Sequence, residues 1–286
     1  MNGHHSQRKG VVWLGGLLII FGLLLPDILL PTPSVGATSA SGTPVPLVYL
    51  PLVLNHYPRQ PGDLFGRALS LDGVDDYASV PDSPTLDLGI GSNDDFTIET
   101  FFYVSDLTNS TTDTLIWKQG AYGLYILFNT SLPDRFIYRI WTDPSSYVFL
   151  YADVDLSVGW HHVAAVFDNE YTASEDLLAL YVDGGVAVSS TAAEWTPGIP
   201  NSSSAVNIGA YVGVNPSVGW LEETRLSNIV RYSGASATVP ATAFSNDANT
   251  QALWHFNEAV GSTVFTDVSG NGNTLTGLNG AQTGNP

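Results

Sequence analysis

The chain has 286 residues, 44% apolar and 11% aromatic, enough for a sizeable core and too hydrophobic for disorder throughout. Its 27 acids against 9 bases leave a formal charge of −18, which offers no basic stripe to a phosphate backbone and makes nucleic acid a poor candidate partner. No cysteine is present, which excludes disulfides, thiolate catalysis and thiolate metal sites together.

In chain order, Arg8 and Lys9 precede an apolar run over residues 11–25, and Val35-Gly36-Ala37 supplies small residues at the spacing of a signal-peptidase site. Residues 1–37 therefore read as a secretory signal that sends the protein to the exterior or the cell surface. The alternative is an uncleaved anchor, the chain's one membrane contact, with Ile28 to Leu30 lengthening a run short for a span. Residues 38–63 are a Pro-rich linker, because Pro at that density blocks helix and interior sheet pairing. Its apolar stretch around Val48-Tyr49-Leu50 reads as a sticky spacer, an edge strand or a docking segment.

From residue 64 to 286, β-type runs at 96–104, 123–128, 136–141, 160–167, 177–182, 205–211 and 252–256 are separated by Gly, Pro, Asn and Asp. Charged residues make up only 13% of the chain and Gly is frequent, with no comparable helical periodicity, so the fold class is all-β. Asp183-Gly184-Gly185 between two apolar runs is the strongest hairpin signal. The acidic run over 168–176 reads as a solvated loop tip, and sequons at Asn109, Asn129 and Asn201 fit surface loops.

Leu71-Asp72-Gly73-Val74-Asp75-Asp76-Tyr77, Trp160-His161-His162-Val163, Leu180-Tyr181-Val182-Asp183-Gly184, Gly219-Trp220-Leu221-Glu222-Glu223-Thr224-Arg225-Leu226 and Trp254-His255-Phe256-Asn257-Glu258 follow one another in the order of a known family. Over about residues 66–280 the chain resembles laminin-G-like, concanavalin A-like lectin domains of secreted bacterial-type proteins. The resemblance implies a jelly roll, a β-sandwich of two antiparallel sheets, in a class that includes lectins, adhesion modules, pentraxins and glycanases. The resemblance would place the acidic cage of pentraxins just before the run 123–128 and just after residues 205–210, where this chain has Gln119-Gly120-Ala121-Tyr122 and Tyr211-Val212-Gly213 instead.

Glycanases on such a scaffold place two carboxylates on one strand face. The run 96–104 has only Glu99, and Glu222 and Glu223, being adjacent, are expected on opposite faces. His161 and His162 are likewise expected on opposite faces, one inward beside Trp160, and so unable to share an ion. Asp267, Ser269, Asn271 and Asn273 set oxygens at alternate positions around Gly270 and Gly272, which fits either a structural Ca²⁺ loop or Asx turns. Asp72, Asp75, Asp76 and Glu222 are candidate additional ligands. A sugar is held by an aromatic face with polar neighbours, and Tyr122, Trp141, Tyr147, Trp195 and Tyr211 are the candidates. The expected function is non-catalytic binding of a carbohydrate or another extracellular surface ligand. The alternative is an adhesion module for a protein partner at the envelope, and a hydrolase ranks third.

Overall fold

The computed structural model describes residues 65–91, 94–108, 111–130, 133–172, 175–193, 198–211 and 214–286. All lie in Leu54–Pro286, one of two units into which the chain divides. The expected export segment at 1–37, the expected linker at 38–63, Asn109 and Trp195 lie outside the described residues, which begin at Phe65.

The strands in chain order are β1 (Ala68–Asp72), β2 (Tyr77–Val80), β3 (Phe96–Val104), β4 (Thr112–Lys118), β5 (Tyr122–Leu127), β6 (Asp134–Asp143), β7 (Ser146–Val154), β8 (Gly159–Thr172), β9 (Glu175–Val182), β10 (Gly185–Ala193), β11 (Val206–Ile208), β12 (Val218–Ser227), β13 (Thr250–Trp254), β14 (Val264–Phe265), β15 (Leu275–Leu278) and β16 (Gln282–Gly284). One 8-stranded sheet runs β10-β9-β8-β3-β12-β1-β16, with β13 also paired to β12, and a second runs β14-β15-β2-β11-β4-β5-β6-β7. All the pairings are antiparallel, so the described fold is a two-sheet jelly-roll sandwich.

Period-2 alternation builds the core. Phe96, Ile98 and Phe102 of β3 with Val163, Ala165 and Phe167 of β8 face Leu124, Ile126, Phe136, Tyr138 and Ile140 of the second sheet. The Asp-Gly turn forms as expected. Asp183 (φ 48) and Gly184 (φ 83) take the left-handed conformations that a two-residue hairpin needs, joining β9 to β10. The run 168–176 is mostly ladder rather than loop tip, because β8 continues to Thr172 and β9 starts at Glu175. Asn169 is buried there, donating from its amide to the Gly91 carbonyl.

The two outer faces differ. That of the first sheet is covered by the segment 228–249, whose Tyr232, Val239 and Phe244 are buried against β3, β8 and β9. His161 and His162 do face opposite ways, His161 stacking on Phe102 in the core and His162 lying against Phe101. Trp160, however, shares the outer cluster with Phe101, on the His162 side, where the covering segment buries His162, while His161 is buried in the core with its ring nitrogens bonded to Asp183 and the Ser157 carbonyl.

Glu222 and Glu223 depart from expectation. A bulge in β12, with Glu223 at φ 53, turns both side chains to the same outer face. Glu222 accepts from the Phe65 amide and Glu223 from the Phe244 amide, and both phenyl rings pack on Phe101. Both carboxylates are buried within the fold rather than lining a cleft.

Glu223 also accepts from His255 Nδ1 at 2.7 Å, and that hydrogen bond, outweighing desolvation, raises the His255 pKa from its ordinary value near 6.5. A raised histidine contributes stability that is complete below about pH 6.5 and lost as pH rises through the folded-state value. The melting temperature of the wild type is therefore expected to fall between pH 6 and pH 8.5 more than that of His255→Gln. Parallel melting curves for the two proteins would remove the assignment.

Candidate functional site

The open outer face belongs to the second sheet, and one cross-strand row organises it. Register places Trp117 of β4 opposite Gly123 of β5, Gly123 opposite Arg139 of β6, and Arg139 opposite Phe149 of β7. Trp117 reaches this face because a bulge between Thr114 and Ile116 shifts the alternation of β4, leaving Leu115 and Ile116 both in the core. Its indole lies across Gly123, where even a Cβ would meet the ring at 2.4 Å.

Around this row the aromatics converge. Trp117 packs edge-on against Trp141 at 5.3 Å and Tyr125 at 6.0 Å, and at a tilt against Tyr211 at 4.8 Å. Trp141 lies opposite Tyr147 in register, 5.9 Å between ring centres. The Arg139 guanidinium stands 4.2 Å over the Tyr147 ring and 5.4–5.6 Å from Trp117, Tyr125 and Trp141. Cation–π contacts of this kind contribute roughly 0.5–2 kcal/mol each, more as water is excluded. Arg139 Nη2 donates to the Tyr125 hydroxyl at 3.0 Å, and burial raises the Tyr125 pKa against the lowering effect of that cation. The walls enclose a hollow of about 500 Å³, with Thr114, Gln119, Ser145 and Asn215 adding polar groups. Beyond it Phe149 and Tyr151 continue along β7, 54% and 49% exposed, as an aromatic stripe that leaves the bowl.

Trp141, Tyr147 and Tyr211 of the expected ligand set are thus brought together. Tyr122 is not with them: it is fully buried, and its hydroxyl donates to the Leu86 carbonyl at 3.0 Å, which makes it a core residue. Trp117, Tyr125 and Arg139 were missed. The alternation of Arg135, Ile137, Arg139 and Trp141 facing Tyr147, Phe149 and Tyr151 is the signal that carries them.

The candidate metal residues separate into two places. The Asp267 carboxylate accepts from the amides of Leu253, Ser269 and Asn273 and from the Ser269 hydroxyl, at 2.8–3.1 Å. Asn271 and Asn273 turn their amide nitrogens to the Gln251 carbonyl, and Asn273 Oδ1 accepts from Ser83. These are the Asx-type bonds of a loop fastened to β13 and to the 83–85 turn. Glu222 lies elsewhere, under the covered face. Asp75 stands instead with Asp72 and Asp76 in the β1–β2 turn, one ligand atom of each within 4.8 Å of the others. Asp76 is buried, its Oδ1 has no hydrogen-bond partner, and desolvation followed by the Asp72 charge raises its pKa.

A profile of the concanavalin A-like lectin/glucanases superfamily matches residues 72–233, more than half of the chain. The chain belongs to that superfamily. Among solved structures, this superfamily member is similar to a candidate carbohydrate-binding protein from Bacteroides ovatus, at 14% identity and a TM-score of 0.52 over 78% of this chain and 60% of that one. It is also similar to a botulinum neurotoxin serotype D/C binding domain, at 11% identity and a TM-score of 0.38 over 56% and 42% of the two chains. These likenesses show the fold alone, and the chain spans less than two thirds of either structure. Among proteins with curated descriptions, none matches. Membership of the superfamily, whose name joins lectins with glucanases, leaves binding and hydrolysis both open, so the chemistry of the walls has to separate them.

Proposed function

We propose that the protein is a non-catalytic carbohydrate-binding module whose site is the aromatic bowl on the open face of the second sheet. The observation that carries this reading is the convergence of Trp117, Tyr125, Trp141, Tyr147 and Tyr211 on one hollow with polar groups at its rim. Flat apolar faces match the C–H faces of pyranose rings, and the rim amides and hydroxyls match their hydroxyl groups. Two-carboxylate hydrolysis finds no candidates there, because among the described residues no Asp or Glu lines the hollow. The expected setting is outside the cell, by way of the export segment.

Calorimetric titration of the full chain across a panel of oligosaccharides tests this. Tyr147, 47% exposed, can be removed with little cost to the fold, and Tyr147→Ala is expected to weaken glycan binding at least tenfold. A wild-type chain that binds no glycan, or a variant that binds as well as the wild type, would overturn it. Binding of a protein instead, abolished by changes at Phe149 and Tyr151, would favour the adhesion reading that their exposure supports.

A structural Ca²⁺ belongs to the same proposal. Asp72, Asp75 and Asp76, rather than the saturated Asp267 loop, supply the oxygens such an ion takes. Calcium is expected to raise the melting temperature relative to chelator by mass action, and Asp76→Asn to abolish the rise. A midpoint indifferent to calcium would end the ion assignment.

A further inference from the structure

Among the described residues two cations enter no ion pair, Arg67 and Arg139: Arg67 is exposed and donates to the carbonyls of Asn257 and Glu258, whereas Arg139 is half-buried among rings. In a sequence with 27 acids and 9 bases, the described ion pairs of Lys and Arg join Lys118 to Asp82 and Asp87, Arg135 to Asp153, Arg225 to Glu99, and Arg231 to Asp247 and, at 4.0 Å, to Glu99, and none includes Arg139. Arg135 makes the comparison direct. It sits four residues earlier on the same face of β6 and has the same kind of ring contact, 4.5 Å over Tyr151, yet Asp153 of β7 meets it with two parallel bonds of 2.6 and 2.9 Å. The β7 residue opposite Arg139 is Phe149, an aromatic where Arg135 finds an aspartate. Arg139 Nε is buried with no hydrogen-bond partner, and the one side-chain bond of its guanidinium goes to the neutral hydroxyl of Tyr125. A half-desolvated guanidinium without a counter-charge is a costly arrangement unless an anion arrives to complete it.

We infer that the bowl selects a sugar bearing an anionic substituent, a carboxylate or a sulfate ester, which docks on Arg139 while its ring lies against the aromatic walls. This inference rests on the carbohydrate reading above and deepens it. A planar fork of donors suits a carboxylate or sulfate oxygen pair, and the bond strengthens where surrounding rings exclude water. The −18 charge of the chain does not forbid this, because salt screens charges beyond about 8 Å at physiological ionic strength and no Asp or Glu lines the hollow among the described residues.

The experiment is titration of the full chain with trigalacturonate, with an O-sulfated galactan oligosaccharide, and with the neutral galactan oligosaccharide of equal length. The wild type is expected to prefer one of the charged probes over the neutral one at least tenfold, with a preference that shrinks as salt rises. The carboxylate and sulfate arms decide which anion it is. Arg139→Met is expected to weaken binding of the charged probe at least tenfold more than binding of the neutral one, whereas Arg139→Lys keeps part of the preference. Melting curves establish that each variant is folded, and Tyr147→Ala, which keeps Arg139, is expected to weaken both probe classes. Equal affinity for charged and neutral probes, or an Arg139→Met loss that falls equally on both, overturns the inference and leaves the carbohydrate reading standing. Failure of the wild type to bind any of the three overturns this inference, and failure across the wider panel as well overturns the carbohydrate reading.

Discussion

Arg225→Met is expected to destabilise the fold by about 3–5 kcal/mol at pH 7, the usual cost of removing one partner from a buried ion pair. Glu99 is fully buried on the covered face, where its carboxylate takes Arg225 Nε at 2.8 Å, Tyr232 hydroxyl at 2.5 Å and His162 Nε2 at 3.2 Å. Desolvation alone would raise the Glu99 pKa; the hydrogen bond from His162 and the charge of Arg225 reverse it, and the net shift is downward. A depressed carboxylate contributes stability that is present above its unfolded value near 4.3 and lost as pH falls through the folded one. Without Arg225 desolvation prevails, so the deficit of the variant is expected to narrow as pH falls toward 4.5. Urea denaturation at the two pH values reads both effects. Adding Glu99→Gln to Arg225→Met should recover part of the loss, because the penalty is an uncompensated charge rather than a missing contact. A deficit under 1 kcal/mol, or one unchanged with pH, would show that the covered face holds without this pair.

Gly123→Val is expected to abolish glycan binding while the sandwich persists. Valine suits a strand, but its Cβ would fall 2.4 Å from the Trp117 ring, well inside contact distance, so the indole has to leave the groove it occupies over β5. Crowding of this kind costs about 1–3 kcal/mol, within what a domain of this size survives. The ring is the hub of the bowl, touching Tyr125, Trp141 and Tyr211, so its displacement removes the floor on which a sugar would lie. Titration and tryptophan fluorescence together decide the matter. A shifted emission with unchanged affinity would take Trp117 out of the site.

The fold was legible because its main signals are local. Alternation in the run 96–104 matches β3 residue for residue, and the Asp183-Gly184 pair specifies its own hairpin. What sequence alternation could not reveal were the irregularities. The bulge in β12 brought Glu222 and Glu223 to one face, and the bulge in β4 sent Trp117 outward between two core residues, because each adds a residue that the period-2 rule does not count. Trp141 and Tyr147 could be chosen as aromatics from composition alone, but Tyr122, an aromatic of the same kind, is core. Only pairing distinguishes them: Tyr122 and Trp141 stand on strands whose faces are assigned by what lies across the sandwich. The alternation that includes Arg135 and Arg139 puts Arg139 on one face of its strand, but the rings that surround it come from β4, β5 and β7 as well and only pairing brings them there.

β7 ends its sheet, paired on one side by β6 alone. Tyr147 therefore stands on the element that one ladder holds, while Trp117 and Tyr125 stand on strands held from both sides. Excursions that lift the margin of a sheet need far less free energy than global unfolding. The bowl thus has a floor laddered on both sides and one wall laddered on one side alone, so under the proposed function the wall that carries Tyr147 is the part that yields first to a bulkier ring.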